Sequence, residues 1–240
     1  MTWRFEFYET LGSTSDLCKE KAEAGASEKL AIQAFAQTSG RGTRGRSWVD
    51  PGGNLAISLL FRPTKSTDFL GAIPFLTALS LYEAARQFSA GDADFMLKWP
   101  NDLLLSERKM AGVLIEAGGS PDHKWVVVGI GANLRNAPQI EGRKLAALSE
   151  VAAAPDPAVF GRSLTLQMDH WLSIWEIQGF APIREAWLER AHPVGRHLAV
   201  QRRETYISGS FSGLDEQGRL LLALPNGETI PVVTGDILLD

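Results

Sequence analysis

Residues 37–48 read Gln-Thr-Ser-Gly-Arg-Gly-Thr-Arg-Gly-Arg-Ser-Trp, and this stretch decides which fold class the chain can adopt. It follows a predicted strand at 30–37, and its glycines match G-x-G-x-x-G, the pattern of a dinucleotide-binding turn. That motif needs a helix to begin at the glycines, because the helix N-terminus holds the pyrophosphate. Here the chain continues as Val-Asp-Pro-Gly-Gly at 49–53, where no helix can start. The sequence therefore argues against a Rossmann fold.

Strand-like and helix-like runs alternate on both sides of this loop. Apolar patterning between turn residues predicts strands at 2–8, 30–37, 55–61, 94–105, 110–117 and 124–130. Helical spacing of apolar residues predicts helices at 13–25, 68–88, 158–178 and 182–191. We expect Pro74 to lie in an early turn of the second helix or to kink it, and Asp156 and Pro157 to begin the third. The predicted fold class is α+β, a mixed β-sheet with packed helices.

The pattern changes after His192 to short β-type runs separated by turn dipeptides. These dipeptides are typical of hairpins, and they are Ser212-Gly213, Gln217-Gly218, Asn226-Gly227 and Thr234-Gly235. We therefore predict two domains, a larger one at 1–192 and a small β-barrel at 193–240.

Composition excludes several functional classes. Hydrophobic residues make up 45% and charged residues 22% of the 240, which is typical of a globular protein and argues against disorder. The net charge of -4 argues against a dedicated nucleic-acid-binding protein. One cysteine, Cys18, forms neither an internal disulfide nor a multi-thiolate zinc site. No run of about 18 apolar residues predicts a membrane span, and Arg4, Glu6 and Glu9 argue against a secretory signal. We expect a cytoplasmic protein that is not bound to membranes.

Two short segments contain several polar, charged or aromatic side chains that could bind a ligand. The glycine loop places Arg41, Arg44 and Arg46 in a stretch, 29–49, that contains no acidic residue. Forked cations and exposed backbone N–H groups suit a phosphate or a carboxylate, although a solvated basic turn is the alternative. Residues 98–102, Lys-Trp-Pro-Asn-Asp, combine a cation, an aromatic ring, an amide and a carboxylate. A buried tryptophan beside a structural Lys–Asp pair is the alternative there.

Two further segments are less specific. A basic pair followed by small residues occupies 108–112, and Gly-Ile-Gly-Ala-Asn at 129–133 follows a strand, so a ligand can approach its backbone closely. The four histidines show no metal-ligand spacing, and no Ser-His-Asp arrangement is evident. We therefore predict no protein-held metal site, and chemistry that depends on positioning and electrostatics.

Taken in order, these segments resemble the biotin protein ligase family. The matching stretches are 13–15, 37–48, 51–55, 98–102, 109–112 and 129–133. The second resembles the family's Gln-x-x-Gly-Arg-Gly-Arg-x-Gly-Arg-x-Trp loop, and the first its Ser-Thr-Asn element. Residues 193–240 are similar to the family's C-terminal domain. The resemblance implies a catalytic domain like those of class II aminoacyl-tRNA synthetases and biotin–lipoate ligases, followed by an SH3-like β-barrel.

The resemblance also implies a two-step reaction, that of a biotin–[acetyl-CoA-carboxylase] ligase. In the family, the biotin carboxylate attacks the α-phosphate of ATP, with Mg²⁺ assisting, and gives biotinyl-5′-AMP and pyrophosphate. A lysine of a biotin carboxyl carrier protein, from acetyl-CoA carboxylase or another biotin-dependent carboxylase, then attacks the mixed anhydride. A cationic loop fits this reaction because it offsets the repulsion between two anionic substrates.

The resemblance assigns roles to residues of this chain. Catalytic roles fall on Lys109, Arg41 and Asp102: the ammonium group of Lys109 would reach the reacting carboxylate and phosphate, and Asp102 would help accept the incoming lysine or hold metal. Trp48 would lie against adenine. The expected contacts to biotin or the nucleotide are Ser13, Thr14, Ser15, Gln37, Gly40, Arg41, Gly42, Thr43, Arg44, Trp48, Asn54, Lys98, Asn101, Lys109, Gly112 and Asn133.

The sequence departs from the family in three places. Ser15 stands where the family usually has Asn, and Thr43 replaces a frequent Arg, which removes a cation from the loop. Some members carry an N-terminal DNA-binding domain, whereas the first matching stretch here starts at Ser13, so we expect a monofunctional form that does not bind DNA. A homodimer is plausible by resemblance. The alternatives are a lipoate–protein ligase or octanoyltransferase, and a non-catalytic protein that binds anions or nucleic acid.

Overall fold

A seven-stranded mixed sheet forms the centre of the computed structural model, which describes residues 2–64, 66–120, 123–202 and 205–238. Its strands are β1 (Arg4–Leu11), β2 (Leu30–Gln37), β3 (Leu55–Phe61), β4 (Phe95–Lys98), β5 (Asp102–Leu105), β6 (Arg108–Gly118) and β7 (Trp125–Ala132). Their order is β1-β2-β3-β7-β6-β5-β4. Strands β1 and β2 are parallel and the other neighbours are antiparallel. The predicted α+β fold with a mixed sheet is confirmed.

Four helices cover the two faces of this sheet. They are α1 (Thr14–Glu23), α2 (Ser66–Phe88), α3 (Pro157–Gln178) and α4 (Ala181–Glu189). Helices α2, α3 and α4 bury most of the apolar residues against one face, and α1 packs Cys18 and Ala22 onto the other. Burial raises the pKa of the Cys18 thiol to about 12, so this cysteine is a packed apolar group.

Local sequence signals fix where helix α3 begins. The carboxylate of Asp156 accepts hydrogen bonds from the backbone N–H groups of Ala158 (2.8 Å) and Val159 (3.3 Å), and Pro157 occupies the first turn of α3. The predicted start of this helix is confirmed. Pro74 lies inside α2.

The stretch 94–105, predicted as a single strand, is a hairpin. Strands β4 and β5 pair with each other, and a turn at 99–101 separates them. Proline lacks a backbone N–H and is excluded from the interior of a sheet, so Pro100 ends the first strand. Lys98 therefore ends β4 while Asp102 begins β5 beside it, and the two residues are cross-strand partners.

A second, antiparallel sheet follows α4. It contains β8 (His197–Arg202), β9 (Thr205–Leu214), β10 (Leu220–Ala223), β11 (Thr229–Val232) and β12 (Asp236–Leu238), in the order β11-β10-β9-β8-β12. Three of the four predicted turn dipeptides separate strands. The fourth, Ser212-Gly213, lies within β9, where the register against β10 shifts between Leu221 and Leu222. A glycine inside a strand commonly marks such a bulge.

The second sheet is packed tightly against α2 and the turn between β4 and β5. The indole N–H of Trp99 donates a 2.9 Å hydrogen bond to the carbonyl of Gly218. A Cβ atom on Gly218 would lie 2.7 Å from the ring of Phe75 and 3.1 Å from that of Phe180. The second sheet is therefore held at a fixed place beside β4.

No helix within the described ranges is long and apolar enough to cross a bilayer.

His192 lies between α4 and β8, and its burial predicts a pH dependence of the protein's stability. Its side chain is buried, and within the described part of the chain its Nε2 has no hydrogen-bond partner. Burial, together with the charges of Arg196 and Lys98, lowers the pKa of His192 from 6.5 to about 4. Between these values the unfolded chain binds a proton that the folded chain does not. Stability is therefore complete above pH 6.5 and falls by about 3 kcal/mol as the pH drops toward 4.

Denaturant unfolding of the wild type and of His192→Gln at pH 7 and pH 5 measures this effect. The wild type should lose more stability on acidification than the variant does. The exposed His170 provides the matched control, His170→Gln, which should lose as much as the wild type. An equal loss in all three proteins would contradict the assignment to His192.

Candidate active site

Most of the predicted residues meet at a cavity of about 340 Å³ where β6 and β7, the glycine loop and the start of α1 come together. Those that line it are Ser13, Thr14, Ser15, Gln37, Arg41, Gly42, Thr43, Arg44, Trp48, Lys98, Asn101, Asp102, Lys109 and Gly112. A second cavity, of about 420 Å³, adjoins it and is also bordered by Trp48, Asp102 and Lys109. The site therefore has two adjoining compartments, and Lys109 is one of the residues that border both.

Two glycines and one tryptophan form the boundary on the sheet side. Gly112 of β6 and Gly131 of β7 lie opposite each other in the ladder. The indole of Trp48 covers them: a Cβ atom on Gly131 would lie 2.7 Å from its Cζ2 and Nε1 atoms, and one on Gly112 would lie 3.5 Å from Cζ3. Gly131 is required because this ring approaches its backbone so closely. At Gly112 the close neighbour is instead the Lys109 side chain, whose Cε and Nζ atoms would lie 2.8 Å from the Cβ atom. Trp48 is thereby fixed on the sheet although it belongs to a loop.

Lys109 and Asp102 form the electrostatic centre of the site. The Nζ atom of Lys109 lies 2.6 Å from Oδ1 of Asp102, and Nζ of Lys98 lies 3.4 Å from Oδ2. Burial raises the pKa of Asp102, but the two ammonium groups outweigh burial, so its pKa lies below the ordinary value. Asp102 is therefore a carboxylate at neutral pH. It holds both ammonium groups at the boundary between the compartments.

The arginines of the glycine loop all have carboxylate partners. Arg41 contacts Asp16 at 2.8 Å and Glu116 at 2.7 Å. Arg44 lies 2.8 Å from Oδ2 of Asp236. Arg46 lies 3.4 Å from Oδ1 of the same residue, and it also donates to the Thr43 hydroxyl at 3.0 Å. The loop is thus connected to α1, to β6 and to β12 of the second sheet.

A row of hydroxyl groups closes one end of the first compartment. The backbone N–H of Thr14 donates to Oε1 of Gln37 at 2.8 Å, and the Thr14 hydroxyl contacts the same oxygen at 3.2 Å. Ser58 of β3 contacts the Thr14 hydroxyl at 2.8 Å and the Ser15 hydroxyl at 3.0 Å. Ser13 occupies the N-cap position of α1, but its side chain makes no capping bond. Gln37 therefore satisfies one of the free N–H groups at the start of α1.

Three of the expected contact residues lie elsewhere. Asn133 borders the second compartment. Gly40 lies at the base of the loop, where its carbonyl accepts from the backbone N–H of Trp48 at 2.9 Å. Asn54 is buried away from both compartments: its Oδ1 accepts from three backbone N–H groups, at 134–136, and its amide donates to Asp50 and to the Asn136 carbonyl. Asn54 anchors the chain after β7, because a buried amide needs all these partners.

Sequence reasoning missed other residues of the site. Asp236 borders both compartments, and the segment 138–145, with Arg143 and Lys144, borders the second. The sequence did not indicate a role for Ser58, because it is a single serine in an otherwise apolar strand. Asp236 follows one of the predicted turns, at Thr234-Gly235, and only the packing of the second sheet brings it to the loop.

The carboxylates of the site are suited to Mg²⁺ only together with a nucleotide. Within the described ranges, no group of three or more His, Cys, Asp or Glu side chains is placed to hold a metal ion. Mg²⁺ is usually bound by one or two carboxylates and the phosphates of a substrate. Asp102 and Asp236 border both compartments. Each is paired with two cations, so it would exchange one of these partners for the metal ion. The residues fit a magnesium ion that arrives with a triphosphate.

A larger cavity of about 990 Å³ lies apart from this site, between Phe61, Phe69 and Trp175. None of the residues predicted for catalysis or binding borders it. Its arginine, Arg62, donates to the backbone carbonyls of Ala22 and Ala26. The chemical groups that the sequence singles out therefore converge on the two smaller compartments.

Two family models match the chain. Residues 8–133 match the Biotin/lipoate A/B protein ligase family, and residues 194–240 match the Biotin protein ligase C terminal domain.

Individual relatives agree with these matches. The chain is 37% identical over 217 residues to the biotin--[acetyl-CoA-carboxylase] ligase of Paracoccus denitrificans, covering 88% of this chain and 90% of that protein. It is 30% identical over 208 residues to the bifunctional ligase/repressor BirA of Escherichia coli (strain K12), covering 85% of this chain and 64% of that protein. A solved structure, the biotin protein ligase of Aquifex aeolicus in complex with biotin and ATP, superposes with a TM-score of 0.83 at 26% identity, covering 98% of this chain and 97% of that one.

Proposed function

The chain belongs to the biotin/lipoate A/B protein ligase family, and we infer from this that it is an ATP-dependent biotin–[acetyl-CoA-carboxylase] ligase. It activates biotin as biotinyl-5′-AMP and transfers the biotinyl group to a lysine of a biotin carboxyl carrier protein. The observation that carries the assignment is the pair of compartments, of about 340 and 420 Å³, that meet at Lys109. Two substrates held side by side react as if in one molecule, which removes much of the entropic barrier.

Lys109 serves the first step. An oxygen of the biotin carboxylate forms a bond to the α-phosphorus of ATP while the bond from that phosphorus to the pyrophosphate breaks. Negative charge accumulates on the phosphate oxygens, and the ammonium group of Lys109 lies at the boundary where this charge develops. A cation that is already in place stabilises the transition state without further reorganisation. Arg41, Arg44 and Arg46 reduce the repulsion between the two anions.

Asp102 serves both steps. In the first it fixes the position of the Lys109 ammonium group, 2.6 Å away. In the second, an amine of the carrier protein attacks the carbonyl carbon of the mixed anhydride, an amide bond forms, and AMP leaves with the electron pair. The amine loses a proton in this step, which passes to water, and the ionised carboxylate of Asp102 would orient the amine for attack. We assign Trp48 to the nucleotide, because its flat ring borders both compartments.

Magnesium would assist through Asp102 and Asp236, which would hold it together with the phosphate oxygens. When bound it neutralises charge on the triphosphate and so favours attack by an anion.

The remaining assignments concern partners, organisation and compartment. We propose that the chain divides at residues 192 and 193 into a catalytic domain and a small barrel, consistent with the second sheet at 197–238. We propose a homodimer that does not bind DNA; the net charge of -4 is in keeping with the latter. Because the reaction consumes ATP and modifies a carboxylase subunit, we propose that the protein acts in the cytoplasm.

Biotin-dependent exchange of labelled pyrophosphate into ATP tests the proposed function. The purified protein should catalyse this exchange only when biotin is added, because exchange reports the reversible formation of an adenylate. Lipoate and octanoate are tested separately in place of biotin, and neither should support exchange. Exchange with either of these and none with biotin would contradict the assignment and favour a lipoate–protein ligase.

A further inference from the structure

The hydroxyl groups at the end of the first compartment form a chain of hydrogen bonds, and only one assignment of donors and acceptors is possible in it. A backbone N–H can only donate, so the Gln37 atom that contacts the Thr14 N–H at 2.8 Å is its amide oxygen. That oxygen can only accept, so the Thr14 hydroxyl, 3.2 Å away, donates to it. The single hydroxyl hydrogen of Thr14 is thereby committed.

The same reasoning assigns the donors in the two hydrogen bonds of Ser58. Because Thr14 has no hydrogen left, the Ser58 hydroxyl must be the donor in their 2.8 Å bond. The hydrogen of Ser58 is then committed as well, so Ser15 must donate in its 3.0 Å bond to Ser58. The hydrogens of Ser15, Ser58 and Thr14 all point toward Gln37. What remains on Ser15 is an oxygen with two lone pairs, an acceptor with no hydrogen to offer.

All three hydroxyl groups are shielded from bulk water. Ser58 is 0% exposed, Thr14 is 3% exposed and Ser15 is 5% exposed. Thr14 and Ser15 line the compartment, while Ser58 lies behind them and does not. Gly129 of β7 makes the arrangement possible, because a Cβ atom there would collide with the Ser15 oxygen. A buried acceptor that faces a cavity discriminates strongly, since a ligand without a donor leaves it unsatisfied.

We propose that Ser58 is a specificity-determining residue of this ligase that acts by positioning Ser15. By accepting the Ser15 hydrogen, Ser58 makes the end of the compartment an acceptor for an N–H group of the substrate. The ureido ring of biotin carries two N–H donors, whereas lipoate and octanoate carry none. This inference rests on the proposed function, and it adds to it the residue behind the pocket wall that selects an N–H donor.

Ser58→Ala tests the inference in the exchange assay. The variant frees the Ser15 hydrogen to rotate into the compartment, so the KM for biotin should rise about tenfold, by the typical cost of an unsatisfied buried group. The KM for ATP and kcat should stay within about twofold of the wild type, because the reacting carboxylate lies elsewhere. Ser80→Ala is the matched control: Ser80 is also fully buried, but its hydroxyl donates to the Leu76 carbonyl inside α2.

A double-mutant cycle separates positioning from a general structural effect. If Ser58 acts through Ser15, Ser58→Ala should raise the KM for biotin by less than about twofold in a Ser15→Ala background. Additive effects, an unchanged KM for biotin in Ser58→Ala, or the same change in Ser80→Ala would overturn the inference while leaving the proposed function intact. A wild-type protein without biotin-dependent exchange would instead overturn the proposed function, and the inference with it.

Discussion

Replacing Lys109 by alanine is expected to lower the rate of biotin-dependent pyrophosphate exchange about 100-fold, the usual effect of removing one preorganised electrostatic group. Its ammonium group lies 2.6 Å from Asp102 at the boundary between the two compartments. Lys98 also borders both compartments, but its ammonium group lies on the opposite oxygen of the same carboxylate, so it does not occupy the place of the Lys109 ammonium group. The variant also leaves Asp102 with one partner fewer, which increases repulsion toward both anionic substrates.

Two control variants show whether the effect of Lys109→Ala is specific to this position and whether it depends on the positive charge. Lys21→Ala removes another lysine that is paired with a carboxylate, Glu6 at 2.9 Å, in a part of the chain outside both compartments, and it should leave exchange within about twofold. Lys109→Arg retains the charge with a different shape, and it should recover part of the rate. An exchange rate in Lys109→Ala equal to that of the wild type would remove this residue from the mechanism.

Gly131→Ala is expected to raise the KM values for biotin and ATP about tenfold or more, although the change adds a single methyl group. That methyl would lie 2.7 Å from the Cζ2 and Nε1 atoms of Trp48. The indole is rigid and the strand is held by β3 and β6 on its two sides, so the ring must leave its place. Since Trp48 borders both compartments, the binding sites of both substrates lose part of their lining.

Gly71→Ala is the matched control for Gly131→Ala. Gly71 lies in α2, and a Cβ atom there would meet nothing within 4 Å. The replacement should leave exchange unchanged and raise stability by about 0.5–1 kcal/mol, because alanine favours a helix more than glycine does. Equal KM values in Gly131→Ala and the wild type would show that Trp48 is not fixed by the sheet.

Local patterns in the sequence explain which parts of the fold were predictable. The bounds of β2 and β3 agree with the prediction because both are largely apolar runs followed by turn residues. The stretch 94–105 was predicted as one strand because its apolar residues continue past Pro100. The Ser212-Gly213 pair has the composition of a turn, but strand pairing with β10 holds it within β9. In both cases the pairing partner, which lies elsewhere in the sequence, decides the outcome.

The same distinction applies to the site. The glycine loop and the 98–102 segment were predictable because each concentrates its chemical groups in a few adjacent residues. Asp236 is 190 positions from Arg46 and reaches it only because the second sheet packs beside β4. Asn54 has the composition of a ligand contact, but its amide is used entirely within the protein.

The pairing of Arg41, Arg44 and Arg46 with carboxylates has a consequence for which anions can enter. These carboxylates are tethered to the protein, so they compete with a dissolved anion at a high effective concentration. A monovalent anion such as chloride gains too little from one guanidinium group to displace a tethered partner. A triphosphate presents several charges to several arginines at once, and it can exchange with the carboxylates together. We therefore expect the loop to favour anions that carry several charges over monovalent anions.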